Sequence, residues 1–149
     1  MTNNDVLRSV RYLMNISELK VLEIIGLTGF NVGMDDLTSF LKQEDEEGYK
    51  NCGDKVLAHF LDGLVIYKRG PNKNGVPQPV ELSMTNNIIL KKLRVAFELK
   101  DTDIIGLIEK AGLRVSKTEL SAFFRKPDHR NYRDCGNQFL RNLLKGMSL

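Results

Sequence analysis

The sequence predicts an all-α protein built from two tandem copies of one four-helix unit, related by pseudo-twofold or repeat symmetry. Three observations predict it. Setting residue n against residue n+83 aligns the chain with itself from Thr2/Thr85 to Ile66/Leu149 without a gap. Apolar residues recur at intervals of three and four, the spacing of a helix face, and no stretch alternates with period two as a half-buried strand does. The stretch Leu37–Gly63, LTSFLKQEDEEGYKNCGDKVLAHFLDG, returns with no insertion or deletion as Leu120–Gly146, LSAFFRKPDHRNYRDCGNQFLRNLLKG. Register kept over such a span marks a duplicated structural unit. The identities include Asn3/Asn86, Asn4/Asn87, Leu7/Leu90, Arg11/Arg94, Gly29/Gly112, Tyr49/Tyr132, Cys52/Cys135, Gly53/Gly136 and Gly63/Gly146.

The first helix of each copy is expected to begin at Thr2-Asn3 and Thr85-Asn86, where short polar side chains cap free backbone N–H groups. Val6, Leu7, Val10, Leu13 and Met14, with Ile89, Leu90, Leu93, Ala96 and Phe97 in the twin, supply its apolar side. A second helix starts near Ser17 and near Asp101 and runs through Leu19, Leu22, Ile25 and through Ile104, Ile105, Ile108. Gly29 and Gly112 follow where a left-handed C-terminal cap is wanted. The third helix opens in the second copy on Ser116-Lys117-Thr118-Glu119, a capping box, whereas the first copy has Gly33 in place of the serine. It covers Leu37–Lys42 and Leu120–Lys126, with Pro127 opposing continuation. The fourth helix is expected after Asn51 and Asp134, read as caps. It buries Val56, Leu57, Phe60, Leu61 and Leu64 in one copy and Phe139, Leu140, Leu143, Leu144 and Met147 in the other.

Residues 1–66 thus form a first repeat and 85–149 a second, joined by 67–84, YKRGPNKNGVPQPVELSM. That segment holds Gly70, Pro71, Gly75, Pro77 and Pro79 and reads as an exposed connector unable to sustain a helix. At 149 residues the chain is long enough to bury a core, and its 42% apolar content is ordinary for a soluble globular protein. No apolar run approaches the ~20 residues of a membrane span. The start MTNNDVLRSV lacks the build of a signal peptide, and the two cysteines fit a reduced cytoplasmic compartment. Net charge is +3, but unevenly spread. Residues 2–66 carry six Lys/Arg against eleven Asp/Glu, and residues 85–149 carry thirteen against seven. One repeat is acidic and its twin basic, which bears on partners more than the total does.

The segments NNDVLRSVRYLM, NNIILKKLRVAF and FFRKPDHRNYRDCGNQFLRNLLKGM resemble the YehS-like bacterial family, whose repeated unit is catalogued as domain of unknown function 1456. The resemblance spans essentially the whole chain, and the tandem arrangement and the Tyr-x-x-Cys element are its specific features. It implies a small cytoplasmic bacterial protein with two copies of the domain. It supplies no reaction, cofactor or catalytic residue.

The residues themselves offer several candidate sites. Cys52 and Cys135 stand at the N-terminal end of a helix, which favours a thiolate. A small side chain packed beneath the loop is the competing reading. Two cysteines in separate copies fall short of a zinc site, so neither metal nor cofactor is expected. Arg11/Arg94 and Asp45/Asp128 recur in both copies and are expected to pair, Arg11 with Asp45 and Arg94 with Asp128. Tyr49 and Tyr132 are expected to anchor the loop by burying a ring.

The most suggestive cluster is Arg125, Lys126, His129, Arg130 and Arg133, with Lys117 and Arg141 beside it; such cations hold phosphates through charge-assisted hydrogen bonds. The first copy has Gln43-Glu44-Asp45-Glu46-Glu47 there, which repels phosphate. Helices two and three of the second copy also fit a helix-turn-helix, with Lys117, Thr118, Ser121 and Arg125 toward a groove. The functional expectation is a non-enzymatic module that binds nucleic acid, RNA or DNA, through the basic second repeat, helped by Lys68, Arg69 and Lys73 of the connector. The alternative is protein–protein interaction or self-assembly between acidic and basic repeats, giving a homo-oligomer or a complex. No phosphate-cradling glycine loop, metal-ligand spacing or paired catalytic carboxylates argue for an enzyme.

Overall fold

Thr2 and Thr85 each cap the first helix of their repeat through the side-chain hydroxyl. Thr2 Oγ1 accepts from the Asp5 N–H at 3.1 Å while the Asp5 carboxylate accepts from Thr2 N–H at 2.9 Å, and Thr85 Oγ1 accepts from Ile88 N–H at 3.2 Å. A computed structural model describes residues 1–71 and 83–149. Among them are eight α-helices and no strand. The first repeat contains α1 (Asn3–Met14), α2 (Glu18–Gly26), α3 (Met34–Leu41) and α4 (Asp54–Arg69). The second contains α5 (Asn86–Ala96), α6 (Asp101–Lys110), α7 (Lys117–Phe123) and α8 (Asn137–Ser148). The chain is all-α, two tandem copies of a four-helix unit, and divides into compact units Met1–Met84 and Thr85–Leu149.

In each unit the apolar faces meet in a core. Val6, Leu7, Val10, Val21, Ile24, Ile25, Leu37, Leu57, Phe60, Leu61 and Leu64 are buried in the first. Ile89, Leu90, Leu93, Ile104, Ile108, Leu120, Leu140, Leu143 and Leu144 are buried in the second. Leu19 departs from expectation, being 67% exposed: α2 turns Val21, Ile24 and Ile25 inward, so its face is one position away from the line through Leu19.

Helix ends follow local chemistry, with informative exceptions. Ser17 Oγ caps α2 through Lys20 N–H at 3.1 Å, while α6 is entered from Lys100, whose N–H meets the Asp103 carboxylate at 2.8 Å. Gly29 and Gly112 adopt φ +84° and +88°, conformations that a Cβ disfavours. Asn51 and Asp134 do not cap the fourth helices. The N-caps are Gly53 and Gly136, two residues further on and without a side-chain bond, while residues 51 and 134 meet the tyrosine hydroxyls.

Two other boundaries differ from expectation. α7 ends at Phe123, short of Lys126, because its last carbonyls are captured from outside: Ala122 O by Arg133 N–H and Phe123 O by the Asn87 amide. α4 continues through Tyr67, Lys68 and Arg69 into the expected connector. Its first breaker is Gly70 at φ +87°, and two cations in its last turn suit the helix dipole. Lys73, Gly75, Pro77 and Pro79 lie outside the described residues.

Gly63 on α4 and Gly146 on α8 mark close approaches of α4 to α2 and of α8 to α6. A Cβ there would lie 2.0 Å from Ile24 O and 2.2 Å from Leu107 O, so only glycine admits these backbones.

Candidate nucleic-acid interface

The loop between the third and fourth helices is pinned by the tandem asparagines at the start of each repeat. Asn4 is 2% exposed; its amide N–H groups donate to the carbonyls of Phe40 (3.0 Å) and Lys50 (2.8 Å), and its Oδ1 accepts from Cys52 N–H (3.0 Å). Asn87 repeats this on Phe123 (3.0 Å), Arg133 (2.8 Å) and Cys135 (2.9 Å). Asn3 and Asn86 donate to the carbonyls of Cys52 and Cys135 at 3.1 and 2.9 Å. Buried backbone groups need such partners. Helix-capping rules explain only the threonine in Thr-Asn-Asn; the identity of both asparagines across the repeat was the signal of the wider role.

Cys52 and Cys135 sit under this clamp, 5% and 4% exposed, each with Sγ 3.7 Å from the next carbonyl. Burial pushes both thiols up to about 12, with Asp54 adding to the effect on Cys52. Loss of hydration outweighs the helix terminus, and both side chains are packed beneath the loop. The tyrosines tie the loop tip down, both half-buried. Tyr49 Oη donates to Asn51 at 3.1 Å. Tyr132 bonds Asp134, and desolvation together with that carboxylate raises its phenol above the usual range.

The expected ion pairs do not form. Arg11 Nε donates to Ile16 O at 3.1 Å. Arg94 bridges to Asp101 at 3.1 Å, with its guanidinium 4.5 Å from the centre of the Phe124 ring. Each arginine lies in the last turn of the first helix and reaches the chain reversal that follows, where Asn15 and Glu98 take φ +52° and +54°. Asp45 and Asp128 are exposed in the loop.

Of the expected phosphate-binding residues, the structure gathers three. Arg125, Arg130 and Arg133 line one open cleft of about 770 Å³ between α7 and the loop, together with Thr118, Ser121 and Tyr132. Glu119 and Asp134 also border it, but Glu119 contacts Ser116 and Asp134 holds Tyr132. Among the described residues none of the three arginine side chains is in an ion pair or hydrogen bond. Lys117, Lys126, His129 and Arg141 are exposed outside the lining, and His129 Nδ1 accepts from Asn131 N–H at 3.0 Å, shaping the loop.

The first repeat spends the equivalent groups on itself. Lys42, opposite Arg125 in the alignment, donates to Glu47 O at 2.8 Å, and Lys50, opposite Arg133, bridges Asp36 at 3.0 Å. Thr38, opposite Ser121, donates to Glu18 at 3.1 Å. Glu18's counterpart Asp101 is drawn to Arg94 instead. Among the described residues no cluster of His, Cys, Asp and Glu could hold a metal, and no helix is long and apolar enough to cross a membrane.

Comparison with known proteins agrees with this twofold layout. The family described as "Protein of unknown function (DUF1456)" matches residues 3–70 and again 86–149. The chain is 42% identical over 148 residues to "Uncharacterized protein YehS" of Escherichia coli (strain K12), covering 99% of this chain and 95% of that protein. No solved structure matches. Two matches in one chain, each spanning one four-helix repeat, mean that this protein belongs to the DUF1456 family as a tandem, YehS-like member.

Proposed function

We propose that the protein binds nucleic acid by its phosphates in the cleft of the second repeat. The observation that carries this is the convergence of Arg125, Arg130 and Arg133 on one recess with no carboxylate paired to any of them among the described residues. Guanidinium groups bind phosphate in a bidentate fork, and two hydroxyl side chains, Thr118 and Ser121, add neutral donors at the same wall. Thr118 and Ser121 are the residues a groove-reading helix would present outward. Their place in the wall of a recess favours a strand laid into the cleft over a helix inserted into a duplex groove. A cytoplasmic location accords with this reading.

Fluorescence anisotropy with labelled single-stranded RNA and DNA tests it. Three phosphate contacts give a slope of log affinity on log salt of about −2, roughly a twentyfold loss between 50 and 200 mM. The triple change Arg125→Glu, Arg130→Glu, Arg133→Glu is expected to lower affinity by roughly a hundredfold or more. Binding that ignores salt, or survives the reversal, would sink the proposal.

A second reading has its own support in the exposed acidic side chains Glu44, Asp45 and Glu47 of the first repeat. They suit docking of that loop onto the arginine cleft of another molecule. Sedimentation of nucleic-acid-free protein would then reveal a dimer that dissociates as salt is raised.

A further inference from the structure

The pair Asp36 and Lys50 of the first repeat aligns with Glu119 and Arg133 of the second, and the latter two line the same cleft. They are used differently. Lys50 Nζ lies 3.0 Å from Asp36 Oδ1, a bridge that ties α3 to the loop and neutralises the cation. In the second repeat the carboxylate turns the other way. Ser116 Oγ accepts from Glu119 N–H at 3.1 Å and donates to Glu119 Oε1 at 3.3 Å. Arg133 is unpaired among the described residues.

Reach does not explain the difference. Glutamate is longer than aspartate and arginine longer than lysine, and Glu119 and Arg133 line one cleft, so side-chain length favours the second pair over the first. The local difference is the residue at the helix entrance. Gly33 offers no side chain and makes no cap bond, whereas Ser116 does both. An exposed ion pair is weak enough that one hydrogen bond to the same carboxylate decides its orientation.

We infer that Ser116 is a positioning residue: by holding Glu119 on the helix cap it keeps Glu119 off Arg133, and so keeps the cleft of the second repeat open to an anion. The inference rests on the reading of that cleft as the phosphate site, and it names the substitution, glycine or serine at one position, that distinguishes the repeats. The divergence at Thr38 and Ser121 runs in the same direction. Thr38 is tied to Glu18, while Ser121 is left facing the recess.

Two measurements on the full chain test it. In the first, the Arg133 Nε–Hε resonance is followed by NMR. Glu119→Gln leaves it in place in the wild-type background and shifts it in the Ser116→Gly background, where the pair has formed. In the second, anisotropy uses a fluorescein-labelled single-stranded RNA. Ser116→Gly weakens binding roughly two- to fivefold, the size of one new exposed ion pair. Adding Glu119→Gln restores it, by more than the same change gains in the wild type.

Loss of the cap alone would fray α7 and lower affinity without rescue. An Arg133 resonance indifferent to Glu119 in Ser116→Gly, or no excess rescue, therefore overturns the inference. Should the wild type bind no RNA while the resonance behaves as expected, Ser116 keeps its positioning role and the nucleic-acid reading falls.

Discussion

One buried amide in each repeat, Asn4 or Asn87, sets the path of the loop between the third and fourth helices, which in the second repeat carries the arginines. Each hydrogen-bonds three backbone groups at the ends of that loop. Asn87→Ala leaves the carbonyls of Phe123 and Arg133 and the N–H of Cys135 unsatisfied, and is expected to lower stability by about 2–4 kcal/mol in urea unfolding. The cysteines beneath these clamps invite a second test. Native protein at pH 8 is expected to show no thiol reactive to Ellman's reagent, and both should appear on denaturation. Both thiols are raised from an ordinary 9.0 to about 12. Between those values the unfolded chain gives up its thiol protons while the folded chain retains them, so stability falls as pH rises from about 9 and is unaffected below. The sequence showed that the cysteines recur at a helix start; the direction of their shift came from burial, which no spacing rule discloses.

Among the elements, the helix contacts α2–α4 and α6–α8 depend on glycines that look dispensable in the sequence. Gly106 and Gly146 both lie inside helices of the second repeat. A Cβ at Gly106 meets nothing within 4 Å, while one at Gly146 would lie 2.2 Å from the backbone oxygen of Leu107. Thermal or urea unfolding is expected to separate them. Gly106→Ala gains roughly 0.5–1 kcal/mol from helix propensity, and Gly146→Ala loses about 1–3 kcal/mol or more because backbone must move. The repeat hinted at this, since Gly146 matches Gly63 whereas Gly106 matches Glu23. The helix starts at Thr2, Thr85, Ser17 and Ser116 were legible for a simpler reason: capping is settled within one turn of chain. The ends of α7 and α4 and the Gly53 and Gly136 caps were less legible. The end of α7 depends on Asn87 and Arg133 reaching it from outside the helix, and the Gly53 and Gly136 caps lie two residues past Asn51 and Asp134, which meet tyrosine hydroxyls instead.

For the whole molecule, duplication supplies two like scaffolds and divergence supplies their opposite charge. That much is a property of the sequence alone. A gapless self-alignment, helical periodicity and a count of charged residues need no coordinates, because each is a local or additive quantity. Residue pairing is neither. Arg11 and Asp45, Arg94 and Asp128 recur together in both repeats and yet choose other partners: an arginine at a helix end has several oxygens in reach, and differences of about 1 kcal/mol between them are decided by packing. The same holds for the basic cluster. The sequence determined that cations crowd residues 125–133; only the tertiary structure decided that Arg125, Arg130 and Arg133 share a cleft while Lys126 and His129 do not. It decided, too, that Lys42 and Lys50 are consumed in the twin, since which charges remain available is settled by competition among side chains brought together from distant parts of the chain.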